Sequence, residues 1–411
     1  MHPHTCIRPE SCGHTRFPES CIRSLAPMRF LTTKFPLTTP LPLKHLIAGA
    51  VVLGMLVPRL ACAQGEFNDH DNILIADQFN NRVIEVEPST HKIVWRFGNG
   101  SDIPGPNSVV GTNDAERFGT LTLISGTGTP PNTPPLPGCS DPVNGCPDNR
   151  VFIVDESGQI IWQYGEAGVA GSGPNQLNTP VQAVFLSTFP GHPGFHILIA
   201  DQANERIILV NLNHQIVWQY GMTGVAGNGA NQLSNPNSAE LLENGHILIA
   251  DEANNRVIEV TVDHAIVKQF TAGGTVNGAA FASRLANGDT LITDSNNNRA
   301  VEVNANDAVV WQYVTNTQAG SNPNPLPTRA IRLRNGNTLI SDQFNQRVIE
   351  VTPNGRIVFQ QGALNAPGEG FNQLNGPYDA KRIRDFTGLT PPFDFDDEHQ
   401  HDDEHHQQED H

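Results

Sequence analysis

The chain has 411 residues, 38% of them hydrophobic, and a mean hydropathy of −0.32, as expected of a globular protein that folds in water. A formal charge of −17 repels nucleic acid phosphates and anionic lipid headgroups, so neither is an expected partner. With 37 glycines and 31 prolines, the chain must turn often.

Residues 1–63 read as a leader and signal peptide. Leu46 to Val57 is an apolar run of twelve residues, too short for a bilayer, which takes about 20. Lys44 and His45 precede it, and Ala61-Cys62-Ala63 follows as a small-residue cleavage pattern, so the cut is expected after Ala63. Forty-five residues ahead of that run are too many for a signal, which makes Met28 the expected start. Arg59-Leu60-Ala61-Cys62 hints at a lipoprotein site, against which the arginine at its first position argues. The expectation is an exported protein, periplasmic or extracellular, with no membrane span. Removing the leader leaves 18 basic residues against 40 acidic, and two of the six cysteines. These are Cys139 and Cys146 in GCSDPVNGC, the expected disulfide.

A self-similar unit fills the chain that follows. ILIADQFNNRVIEV begins at Ile73, ILIADQANERIILV at Ile197, ILIADEANNRVIEV at Ile247, TLITDSNNNRAVEV at Thr290 and TLISDQFNQRVIEV at Thr338. Each is an apolar run, a polar turn and a second run, the pattern of two antiparallel strands. A third strand follows, as in IVWRFG from Ile93 and IVWQYG from Ile216. An inner strand precedes, as in PNSAELLENG from Pro236 and PTRAIRLRNG from Pro327. Four strands recurring at Asp-to-Asp spacings of 50, 43 and 48 residues suit propeller blades. The gap of 124 residues from Asp77 to Asp201 has room for two, and RVFIVDESGQIIWQYG from Arg150 belongs to the second. Gly126 stands there in place of the usual Asp, and a 19-residue insertion separates it from Arg150. The predicted fold is all-β: a six-bladed β-propeller over residues 64–391, with four antiparallel strands per blade. PYDAKRIRDF from Pro377 has no blade of its own and is expected to close the ring by completing the first blade. Residues 392–411 form an acidic, histidine-rich tail; its last 18, from Asp394, carry nine acids and five histidines and nothing to bury.

These units resemble NHL-repeat propellers, whose Gly-rich loops end in N-Q-L/F-x-x-P. Here the loops are GSGPNQLNTP from Gly171, GNGANQLSNP from Gly227 and GEGFNQLNGP from Gly368. The T-L-I-x-D and V-V-W-Q-Y variants are also similar to repeats of bacterial arylsulfotransferase-like propellers. The resemblance implies the fold but several functions: binding scaffolds, amidating lyases, lactonase-like hydrolases and sulfotransferases.

Residues present in every blade are expected to build blades. Asp77, Asp201, Asp251, Asp294 and Asp342 should cap turns and pair with the following arginine, and Trp95, Trp162, Trp218 and Trp311 should pack between blades. Unique residues carry the site expectation. The residue before the inner-strand Ala or Val varies as Ser108, Gln182, Ser238, Phe281, Arg329 and Asp379, a ring near one channel mouth. Arg329 and Asp379 should be neighbours, with Arg332, Arg382 and Arg284 deeper, making a candidate anion or carboxylate site that includes Gln182. The plainer reading is that Arg and Asp neutralise each other. His196 and His246 share a position in adjacent blades and are candidate ligands for a divalent metal, the one cofactor left open. The insertion is expected to rise over the mouth as a disulfide-stapled cap. No nucleophile elbow, phosphate loop or zinc-peptidase motif is present. The favoured function is a scaffold binding a small molecule or protein, with a propeller enzyme acting at the channel mouth as the alternative.

Overall fold

The computed structural model describes residues 66–132 and 136–385. The leader and the acidic tail lie outside the described residues. Six four-stranded antiparallel sheets are present, and each is one blade. Helix among the described residues is limited to five three-residue 3-10 turns. From blade 1 to blade 6 the inner strands are Pro377–Arg382, Thr112–Phe118, Pro180–Phe189, Pro236–Leu241, Ala279–Arg284 and Arg329–Arg332. Ring closure is as expected: Pro377–Arg382 pairs with Ile73–Asp77, placing Ala380 opposite Ile75 and Arg382 opposite Ile73.

Second and third strands are apolar on both faces because a neighbouring blade covers each side. Ile73–Asp77, Ile247–Asp251 and Arg347–Val351 are buried throughout, whereas the outer strand Ile266–Phe270 is exposed except at Phe270. The core is therefore a ring of inter-blade layers, one of which joins Leu209 of blade 3 to Leu241 of blade 4. The tryptophans sit at these seams: the indole N–H of Trp95, Trp162, Trp218 and Trp311 donates to a carbonyl of the next blade at 2.9–3.1 Å.

Antiparallel alternation gives the molecule two ends. The crossover end carries the connections between blades and the turns between second and third strands. The hairpin end carries the remaining turns. At the crossover end a carboxylate ends the second strand and binds the arginine that opens the third, as in Asp77–Arg82, Asp201–Arg206 and Asp251–Arg256, each 2.7 Å. The next residue back is left-handed, from φ 50° at Asn81 to 63° at Gln346, a conformation that asparagine tolerates best. Its side-chain oxygen accepts a backbone N–H at the start of the next blade. Asn81, Asn149, Glu205, Asn255, Asn298 and Gln346 each do so at 2.6–3.2 Å, which clasps all six seams. Where the outer strand leaves at Gly98, Gly165, Gly221 and Gly362 the chain passes over this turn so closely that a Cβ would strike the backbone carbonyl of the clasp residue.

Blade 2 departs from the pattern. Its second and third strands run on into the insertion as Leu121–Thr129 and Cys146–Val154, so part of the expected loop is strand. Gly126 leaves space that Asp148 fills from the opposite strand: a Cβ on Gly126 would lie 2.5 Å from the Asp148 carboxyl carbon. Asp148 binds Arg150 at 2.5 Å and accepts the Val110 N–H at 2.7 Å, so the missing aspartate is replaced in space by one from another strand. The Cys139–Cys146 disulfide is formed, with Cα atoms 5.6 Å apart.

Candidate functional site

In an inner strand the residues on either side of the ring alanine turn toward the channel and the next blade. The ring is Asp379, Asp114, Gln182, Ser238, Phe281 and Arg329. Ser108 is corrected to Asp114. Pro106-Asn107-Ser108-Val109 resembles Pro236-Asn237-Ser238-Ala239, but blade 2 takes Thr112–Phe118 as its inner strand, with Ala115 opposite Ile124. A two-residue turn at Gly119-Thr120 forces that register; starting at Val109 would leave a slack loop. The sequence held a signal for this, because Ala239 pairs with Ile249, Ala282 with Ile292 and Ala330 with Ile340, each ten residues on, close to the nine from Ala115 to Ile124 and far from the fifteen that Val109 would need.

Arg329 and Asp379 do meet, at 3.0 Å, and Arg329 also reaches Asp114 at 3.1 Å. Lys381, not singled out in the sequence, binds Asp114 at 2.7 Å and Asp379 at 2.6 Å. The Arg329 guanidinium lies over the Phe281 ring, 4.3 Å from its centre. Two cations and two carboxylates thus balance, and Arg329, Asp379 and Asp114 are all fully buried. Burial pushes Asp379 upward, but Lys381 and Arg329 outweigh it and hold it below its ordinary value; burial prevails at Asp114, which is raised. One layer on, burial lifts Glu116 to about 8 and Glu240 well above its ordinary value. These side chains also serve the inner edges of neighbouring blades. Asp379 accepts from Ala115 N–H, Asp114 from Ala183, Gln182 from Ala239, Glu116 from Phe185 and Glu240 from Arg284.

Arg332, Arg382 and Arg284 lie elsewhere. Each crosses a seam to a third-strand glutamate of the preceding blade: Arg332 to Glu302 at 2.7 Å, Arg382 to Glu350 at 2.6 Å and Arg284 to Glu259 at 2.8 Å. Arg117 and Glu85 make the fourth such bridge, at 2.9 Å. At the two remaining seams the same positions hold Ile153 with Phe185, and Leu209 with Leu241, within shared apolar clusters.

A hydrogen-bonded lid covers the crossover-end mouth. Asn237 Nδ2 of blade 4 donates to Tyr378 Oη of blade 1, across the ring, at 3.0 Å, and to Glu252 at 2.8 Å. Gln202 also donates to Glu252, at 3.2 Å. Gln343, Gln78 and Asn113 form a second chain, at 2.7 and 2.8 Å. Tyr378 and Glu252 remain partly exposed at this mouth, and burial raises both above their ordinary values. Neither stood out in the sequence, because their partners come from blades distant along the chain.

His196 Nδ1 lies 2.7 Å from the Gly194 carbonyl, and His246 Nδ1 lies 2.7 Å from Glu259 Oε1. Among the described residues no group of three or more His, Cys, Asp or Glu side chains is placed to hold a metal. No described helix is long and apolar enough to cross a membrane. The insertion rests on blade 1: Asn81 Nδ2 donates to Gly138 O at 2.7 Å, and Ser140 N–H donates to Asp102 of the connection between blades 1 and 2 at 2.9 Å.

No protein-family model matches the chain, and no curated protein matches it. Solved structures similar in fold include a protein of unknown function from Bacteroides caccae, 15% identical over 70% of this chain and 92% of that one, TM-score 0.46. A virginiamycin B lyase from Staphylococcus aureus is 12% identical over 71% of this chain and 85% of its own, TM-score 0.42. A streptogramin B lyase is 13% identical over 62% and 70%, TM-score 0.41. The six four-stranded sheets of the chain itself make it a six-bladed β-propeller.

Proposed function

We propose that the protein is an exported NHL-type propeller that acts as a binding scaffold through its crossover end. The carrying observation is how the channel's polar groups are engaged. Arg329, Lys381, Asp114 and Asp379 neutralise one another out of reach of solvent, beneath the Tyr378–Asn237 bridge. A channel organised this way holds blades together and leaves recognition to the loops around it. The Cys139–Cys146 bridge supports export, since such bonds persist in oxidising compartments.

A second reading rests on Glu252 and Tyr378, a partly exposed carboxyl and phenol bridged by Asn237, both raised by burial. Perturbed groups at a channel mouth are what acid–base chemistry would use, in a lyase-like, hydrolase-like or sulfotransferase-like reaction. Purified protein assayed against aryl sulfates, lactones and glycolated amides, with and without divalent metal, separates the two. The scaffold reading predicts no turnover. Turnover that vanishes in Tyr378→Phe and Glu252→Gln while melting is unchanged overturns it.

A further inference from the structure

Among the described residues, the ion pairs to Asp and Glu are made by arginines, by His246 and by one lysine, Lys381. The other described lysines, Lys92 and Lys268, stand exposed on outer strands, whereas Lys381 is 3% exposed. Lys381 lies 267 residues beyond Asp114 in the chain. Its strand, Pro377–Arg382, nevertheless packs beside Thr112–Phe118, because the two are the inner strands of blades 1 and 2. Lys381 Nζ donates to Asp114 Oδ1 at 2.7 Å, to Asp379 Oδ2 at 2.6 Å and to the Ala115 carbonyl at 2.9 Å. A guanidinium at this point could only pair with the carboxylates; an amine can also condense with one of them.

Condensation of an amine with a carboxyl group releases water, and the site favours it in several ways. The fold holds the two groups in contact, which replaces a bimolecular encounter. Asp114 and Asp379 are fully buried. In such surroundings the uncharged amine and acid lie closer in energy to the ion pair than they do in water. Burial raises Asp114 above its ordinary value. It pulls Lys381 down, but Asp114 and Asp379 outweigh it and raise the amine, so Nζ must hand a proton to a neighbour before it attacks. Asp379 Oδ2 is in contact to take it. Asp114 Oδ2 accepts the Ala183 N–H at 3.1 Å, the donor that a developing oxyanion needs. Charge also stays matched, because consuming Lys381 and Asp114 together leaves Arg329 paired with Asp379 at 3.0 Å.

We propose that Lys381 and Asp114 join through an isopeptide bond that closes the propeller covalently, whichever functional reading holds. Lys381 Nζ bonds to Asp114 Cγ, and the Cγ–Oδ1 bond breaks. Nζ gives up two protons. Asp379 accepts each in turn and passes it to the departing oxygen, which leaves as water, so Asp379 ends as it began and no co-reactant is consumed. The bond ties the strand that completes blade 1 to the inner strand of blade 2. The test is mass spectrometry of the isolated protein after reduction, alkylation and digestion with trypsin. Trypsin cuts after Arg96, Arg117 and Arg356 but not after an acylated lysine. The expected product joins residues 97–117 to 357–382 and is lighter than their sum by one water. Lys381→Arg should yield separate peptides, and after boiling in detergent and reductant the parent chain should run ahead of it on a gel. Asp379→Asn should also yield separate peptides; a link that persists there overturns the proton relay. Recovery of 97–117 and 357–381 as separate peptides from the parent protein overturns the proposal. Loss of water confined to 357–382 would put the bond at Asp379 and overturn the choice of Asp114.

Discussion

Blades 4 and 5 are each one continuous stretch of chain with the aspartate at the end of the second strand. Blades 1 and 2 break both rules: blade 1 takes its inner strand from Pro377–Arg382, and blade 2 takes its carboxylate from Asp148. The comparison teaches that the fold holds the position of a group and not its place in the chain. A carboxylate must meet each third-strand arginine and an inner strand must cover each second strand, whichever segment supplies them. The irregular sector is also where the insertion and the disulfide lie.

Ways to break this comparison can be ranked by effect. Truncation after Asn375 should be the most severe. It strips the inner strand from blade 1 and removes Asp379 and Lys381 from the channel, a loss comparable with the whole 5–15 kcal/mol stability of a typical domain. A truncated protein that still melts cooperatively at the parent temperature would refute strand exchange. Next are Asp148→Ala and Asp251→Ala, each leaving a buried arginine unpaired at a cost of about 3–5 kcal/mol. Denaturant midpoints should fall alike in both, and Gly126→Asp should restore the Asp148→Ala protein. A mild Asp148→Ala with a severe Asp251→Ala would end the equivalence.

Smaller effects sharpen the contrast between seams. Converting Arg332 and Glu302 together to leucine copies the Leu209–Leu241 seam and should change stability by about 1 kcal/mol or less, while Glu302→Leu alone should cost more. The pH dependence has a definite sign. Glu116 is raised from 4.5 to about 8, so the stability tied to its proton is fully present below 4.5 and lost as pH rises through about 8. Glu116→Gln should flatten the fall in melting temperature over that interval; an unchanged slope would assign it to other groups.

How much of this was legible depended on range. Ring closure, blade count and the disulfide could be read because each leaves a local mark: a strand with no blade, a repeat spacing, two cysteines seven residues apart. Asp114 was missed because Ser108 sits in a decoy of the inner-strand motif, and only pairing with the next strand reveals the register. Asp148, Lys381 and the Tyr378–Asn237 bridge depend on which strands meet in space, which no local pattern encodes. Arg332, Arg382 and Arg284 were read as one cationic throat because their glutamate partners belong to other repeats.

The central claim is that the regular repeat carries the stability of the propeller and the insertion adds little to it. Replacing residues 129–146 with an Asn-Gly turn, which keeps Asp148 and removes the insertion, tests it most directly. Melting temperature would be measured on that one protein. The account predicts melting within a few degrees of the parent. A collapse of melting would contradict it.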